Sequence, residues 1–263
     1  MPPFALADEV HDAVRQAVPS APEKPLFLWV HYMDIHEPLG FFWYRGHGLL
    51  KKLKFHLADV LLFLFGDRPR VNRWFKNLYL ELYDASIRHV DAHIEKLFAH
   101  LERVGVLNHE SLIALAADHG EEFFEHGEFG HAQRPYHTNL HVPLLFFSPK
   151  LAPARIDRPV SLIDLSPTLA HFAGVSSPRV WRGKNVFDET ERPVISQLID
   201  CAGDLTDPKP LGATLIASGH KLINFKGRQT LFSLDDMAER RDLLREKPEL
   251  VAALSEEIRP FLP

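Results

Sequence analysis

Five histidines (119, 126, 131, 137 and 141) and five acids (Asp118, Glu121, Glu122, Glu125 and Glu128) stand between Asp118 and His141. Adjacent Asp118 and His119 offer one carboxylate oxygen and one imidazole nitrogen. Such a pair suits a divalent metal of intermediate hardness, such as Mn, Zn or Fe. Gly120, Gly127 and Gly130 let the backbone turn sharply around it. The competing reading of any single histidine there is a solvated surface side chain, because imidazole occurs widely outside metal sites. A second constellation, HYMDIHEP at residues 31–38, holds His31, Asp34 and His36. His31 reads as a histidine satisfied inside a sheet. His36, beyond a strand end and before a proline, reads as facing a pocket.

Both constellations leave the ends of apolar runs. Residues 26–32, LFLWVHY, and 111–117, SLIALAA, have the length and content of buried parallel strands. Residues 141–147, HVPLLFF, read as a third strand with its proline near the start. In open α/β sheets ligands bind at the carboxyl ends of strands. Between the first two runs, Tyr79, Tyr83, Ile87, Val90, Ile94, Leu97, Leu101 and Val104 recur at steps of three and four. That spacing predicts one long helix over about 74–104. A short amphipathic helix is expected over 8–18, then the PSAPEKP linker. A helix over 49–65 carries Lys51, Lys52 and Lys54. Further on come a helix over 161–173, a strand over 193–199, three short strands within 211–234 and a terminal helix over 247–259. The expected organisation is an N-terminal helix and linker (1–25), an α/β core (26–200) and a C-terminal subdomain (201–263).

Composition excludes several classes. The formal net charge of −5 over 263 residues removes a basic nucleic-acid footprint, so no nucleic-acid partner is expected. A single cysteine, Cys201, excludes a disulfide framework or a Cys-rich zinc site. No apolar run is long enough to cross a bilayer. The N-terminus lacks the apolar core of a secretory signal, so a cytoplasmic location is expected. Residues 49–65 could lie on anionic lipid as a basic amphipathic helix. The reading favoured for them is a lid packed over the active-site edge.

Four motifs in order resemble the sulfatase family of the alkaline-phosphatase-like superfamily. They are LWVHYMDIHEP (28–38), YDASIRHVDAHIEKL (83–97), DHGEEFFEHGEFGH (118–131) followed by HVPLLFF, and SLIDLSPTLAHFAGV (161–175). A fifth, LFSLDDMAERRDLLREKPEL (231–250), is similar to the family's C-terminal ending. The resemblance implies a three-layer α/β/α core, N-terminally incomplete, with a small C-terminal antiparallel sheet and a terminal helix. It implies that Asp118 and His119 bind one divalent metal (Mn, Ca or Zn). It gives His36 and His131 the roles of contacting the anionic group or the leaving oxygen of a small sulfate or phosphate ester. His119 stands where many sulfatases carry Asn, a departure shared with members that act on phosphate esters or phosphonates. Ile35 and Leu39 replace a usual proline and a usual aromatic.

The family's nucleophile lies in a Cys/Ser-x-Pro-x-Arg motif upstream of these segments. Cys201, in DCAGD, fits neither that pattern nor that place. The expectation is therefore the C-terminal portion of a longer sulfate-ester hydrolase, inactive alone. The missing first strands would be supplied by a preceding segment or a partner chain. The alternatives are a phosphoester or phosphonate hydrolase or a phosphotransferase on the same scaffold, and a family member that binds an anion or a partner without turnover. Asp84 with Arg88 reads as a helical ion pair. Asp8 and Asp12 read as helix surface, Asp164 and Ser166 as helix caps. The run from Asp235 to Arg241 reads as a surface turn.

Overall fold

The computed structural model describes residues 5–20, 22–36, 53, 69–131, 134–199 and 210–263. The expected 49–65 helix (Leu53 apart), Leu39 and Cys201 lie outside them. Among the described residues no helix is long and apolar enough to cross a membrane. The chain divides into two compact units. One comprises 1–113, 126–130 and 147–151, the other 114–125, 131–146 and 152–263.

In the first unit, helix α1 spans Ala7–Ala17 and helix α2 spans Pro69–Arg103. Proline suits the first turn of α2, where its missing N–H has no intrahelical partner to lose. The buried stripe of α2 runs Tyr79, Leu82, Ser86, Val90, His93, Leu97 and Leu101. These steps of three and four keep the expected period, but the stripe is turned. Ile87 is exposed, while Ser86 and His93 take buried places. Val14 and Val18 pack on Leu97 and Leu101. Polar contacts join the same elements. His93 Nε2 lies 3.0 Å from Asp8 Oδ1, and His93 Nδ1 lies 2.9 Å from the His89 carbonyl. His11 Nε2 lies 2.9 Å from the Tyr32 hydroxyl, and Asp34 Oδ1 accepts the Ala7 amide at 3.2 Å.

Residues 26–32 correct an expectation. Leu28, Val30 and Tyr32 pack against the α1–α2 cluster, while Phe27 and Trp29 are 77% and 80% exposed. The alternation is that of an extended chain with one buried face. A strand also needs a neighbour for its N–H and C=O groups. Among the described residues the segment has none, and it carries no strand. His31 is accordingly not inside a sheet. It is exposed and stacks on Trp29, ring centroids 6.4 Å apart.

Strand β1 (Ile113–Ala116) pairs with β2 (Leu144–Phe147), all but their outermost residues, Ile113 and Phe147, in the second unit. A one-turn helix, α3 (His137–Leu140), precedes β2. Helix α4 spans Leu165–Phe172. Asp164 stands at the N-cap of this helix, as expected, and its side chain closes a capping box with Ser161 on the preceding turn while tying further segments together. Its carboxylate accepts the Ser161 amide at 2.9 Å and the Lys184 amide at 2.8 Å, and it pairs with Arg192.

The C-terminal sheet follows the antiparallel order β3 (Val194–Ile199), β4 (Pro210–Ala217), β5 (His220–Phe225), β6 (Arg228–Ser233). Its two tight hairpins turn at Ser218-Gly219 and Lys226-Gly227, where φ is positive at both residues. Two successive positive φ values match the right-handed twist of the flanking strands, and glycine adopts them without strain. Helix α5 (Pro248–Ile258) covers one face. Leu215, Leu222, Leu231, Leu254 and Ile258 form that core. Each such side chain stabilises the fold by roughly 1.5–3 kcal/mol relative to exposure.

Candidate active site

The Asp118–Gly120 turn follows β1 directly and sits against α3. The Gly120 amide donates to the Asn139 carbonyl at 2.9 Å. A Cβ on Gly120 would stand 2.0 Å from the Thr138 carbonyl oxygen. No side chain fits there, so glycine is required for close approach of two backbones.

That turn fixes His119. Its Nδ1 lies 2.9 Å from the Gly120 carbonyl. A carbonyl only accepts, so Nδ1 carries the proton and Nε2 carries the lone pair in the neutral ring. Nε2 lies 3.8 Å from Asp118 Oδ2, and the Asp118 side chain is 74% exposed. Two ligands on one zinc-like ion, each about 2.0–2.2 Å from it, stand somewhat over 3 Å apart. The two atoms therefore need only a small approach to share a cation.

His131 joins this pair. Its ring stacks on that of His119, centroids 4.1 Å apart and planes 29° inclined. Its Nδ1 lies 3.2 Å from Glu121 Oε2, and the Glu121 side chain is almost fully buried. A carboxylate on one ring nitrogen orients a histidine and assigns the ligand-binding role to the other. The loop between the two rings passes through Phe124 at φ 65. A bulky residue at positive φ stores about 1–3 kcal/mol of backbone strain, a feature that clusters at functional sites.

The structure thus sets His119 beside both Asp118 and His131 within one unit. His36 belongs to the other unit, half-buried in a turn where its amide donates to the Met33 carbonyl at 3.1 Å.

Sequence reasoning missed Glu239. The charged run around it reads as a surface turn, yet Glu239 is buried and forms an ion pair with buried Lys221. Its other oxygen accepts the His137 amide at 2.7 Å. Burial pushes the Lys221 ammonium below its usual range, against the pull of Glu239. His137 is lowered by burial first and then by His141, whose ring stacks on it at 4.5 Å. A cavity of about 560 Å³ lies among His171, Arg179, Trp181 and Lys184, and no residue of the 118–131 turn lines it.

Residues 3–175 match the family model described as Sulfatase, about two thirds of the chain. The chain is a member of the sulfatase family. Curated relatives of this sulfatase-family chain include Arylsulfatase K of Xenopus laevis, 33% identical over 98 residues, which are 37% of this chain and 18% of that protein. Choline-sulfatase of Rhizobium meliloti is also 33% identical over 98 residues, 37% of this chain and 19% of its own. The matched stretch therefore spans about a fifth of these relatives' length. Among solved structures, a phosphonate monoester hydrolase from Silicibacter pomeroyi superposes with TM-score 0.59 at 23% identity, over 70% of this chain and 40% of that one. A sulfatase-like structure from Bacteroides thetaiotaomicron gives TM-score 0.56 at 17% identity, over 70% and 43%. These likenesses show the fold, the expected alkaline-phosphatase-like α/β class, which the sulfatase-family chain carries with its C-terminal four-stranded sheet.

Proposed function

We propose that this sulfatase-family chain belongs to a metal-dependent hydrolase of small sulfate esters. The observation that supports it is the turn in which His119 Nε2 and Asp118 Oδ2 stand 3.8 Å apart with His131 stacked alongside. A carboxylate oxygen and an imidazole nitrogen fit a divalent cation, with Mn, Ca and Zn the candidates. When bound, the cation supplies Lewis acidity, activating a nucleophile and polarising the ester. The protein's own groups do the rest. Asp118 and His119 hold the cation. His131, oriented by Glu121, contacts the anionic oxygens or protonates the leaving oxygen. By family position, His36 has the same kind of role.

The sequence contains no Cys/Ser-x-Pro-x-Arg nucleophile motif. We therefore expect the 263-residue chain to bind a divalent cation weakly and to turn over no ester alone. Incomplete shells leave most coordination to water. The test is nitrophenyl sulfate and nitrophenyl phosphate hydrolysis by the purified chain with Mn²⁺, Ca²⁺ or Zn²⁺. Metal-dependent turnover that disappears in Asp118→Ala would overturn the expectation of inactivity. Absence of metal binding by the folded chain would remove the metal site.

The second reading is a phosphoester or phosphonate hydrolase. His119 in the position where many sulfatases carry Asn favours it. Competition between sulfate and phosphate for the metal-loaded chain separates the two readings, tighter phosphate binding supporting the second.

A further inference from the structure

We propose that Glu239 is a positioning residue for the Asp118–His119 turn, an inference that rests on the metal-site reading above. A continuous path of hydrogen bonds carries it. Lys221, on β5, pairs with one oxygen of Glu239. The other oxygen accepts the amide of His137, the first residue of α3, at 2.7 Å. Two residues later the Asn139 carbonyl accepts the Gly120 amide at 2.9 Å, and the Thr138 carbonyl closes on the Gly120 Cα. The Gly120 carbonyl in turn accepts His119 Nδ1 at 2.9 Å. Glu239 therefore fixes the helix against which the metal-binding turn is pressed, and that turn fixes the tautomer of His119.

Two features separate this from a plain structural ion pair. Glu239 sits at φ 50, a conformation that glycine or asparagine adopts more readily than glutamate. Charge balance for Lys221 requires only one carboxylate oxygen, whereas here the second is committed to a backbone amide 102 residues away. Groups bonded directly to a metal ligand typically alter metal affinity by about 10–100-fold. Glu239 acts on His119 through three successive hydrogen bonds, so its effect is expected at the low end of that range.

Glu239→Asp and the double variant Lys221→Met/Glu239→Gln make opposite predictions. Aspartate keeps a charge for Lys221 but is too short to hold the His137 amide. The double variant removes both buried charges but keeps an oxygen for that amide. The readouts are Mn²⁺ affinity of the full chain by calorimetry and the ring ¹⁵N shifts of His119, which report its tautomer. Glu239→Asp should stay folded, lose about tenfold in affinity and show mixed tautomers. The double variant should match the wild type in both. Wild-type behaviour of Glu239→Asp, or loss in the double variant, would overturn the inference. Should the wild type bind no Mn²⁺, the metal reading falls and the ring shifts alone decide the positioning role. Should Glu239→Asp unfold, hydrogen exchange in the wild type decides. The His137 and Gly120 amides should be protected together, and free exchange at His137 with Gly120 still protected would sink the idea.

Discussion

Gly120 meets Thr138 so closely that a single added carbon would stand 2.0 Å from the Thr138 carbonyl oxygen. The obstacle is backbone, which cannot swing aside as a flexible side chain would. Gly120→Ala should therefore displace the turn from α3, destabilise the chain by about 1–3 kcal/mol and weaken divalent-metal binding. Urea unfolding and calorimetry would check both. A variant with unchanged midpoint and affinity would show that the contact is not what holds the turn.

Glu121 lies against His131 Nδ1 at 3.2 Å. Glu121→Gln keeps nearly the same shape but removes the charge beside the ring. Binding of sulfate or phosphate to the metal-loaded chain should weaken if the orientation that Glu121 gives His131 outweighs the repulsion its charge exerts on an anion. Unchanged or tighter binding would show that Glu121 does not orient the ring for anion contact. Titration calorimetry with the inorganic anions reads this directly, and circular dichroism should show an intact fold.

Asp164 is buried and serves two backbone amides and Arg192 at once. Asp164→Ala would strand all three partners, one of them a partly buried cation. The expected loss is about 3–5 kcal/mol, visible as a large drop in the urea midpoint. A fall of under half a kilocalorie would mean that water replaces the carboxylate at little cost.

The α1–α2 contact should weaken in acid. His11 and His89 are both held below the usual 6.5, by burial first and by His93 next. Asp8 and Asp34 oppose that shift, while Lys96 adds to it at both rings and Arg15 at His11. Below about pH 6.5 the unfolded chain takes up protons that the folded chain resists. Stability should thus fall from pH 6.5 downward until the folded imidazoles titrate. Asp8 is lowered from 3.8 by its bond to His93, so its contribution is present above 3.8 and is lost below it. Thermal melts of His11→Gln and His89→Gln across pH 5–7 should be flatter than those of the wild type.

Much of the fold was legible because its elements obey local rules. The long helix runs 69–103 against an expected 74–104, and the three C-terminal strands fall within a residue or so of expectation. Apolar period and turn chemistry are local properties, so they can be read along the chain. The site was legible only in part. Asp118 and His119 announce themselves by adjacency after a strand. The stacking of His131 on His119 comes from the course of a strained loop, which no spacing rule encodes. Glu239 was hidden because a charged run reads as solvent-facing, and only a buried lysine from β5 makes it otherwise. The segment 26–32 failed as a strand for the opposite reason. Its composition was right, but pairing is a property of two segments and cannot be read from one.

The bond between Glu239 and the His137 amide closes a loop of 102 residues. Such a closure is entropically slow compared with a hairpin turn. The hairpins at Ser218-Gly219 and Lys226-Gly227 need only neighbours in sequence, so they can form early. The turn that carries Asp118 and His119 gains its distant anchor only once the C-terminal sheet exists. Ordering of this turn should therefore trail the appearance of secondary structure during refolding, and on the ribosome it must wait for Glu239 to emerge.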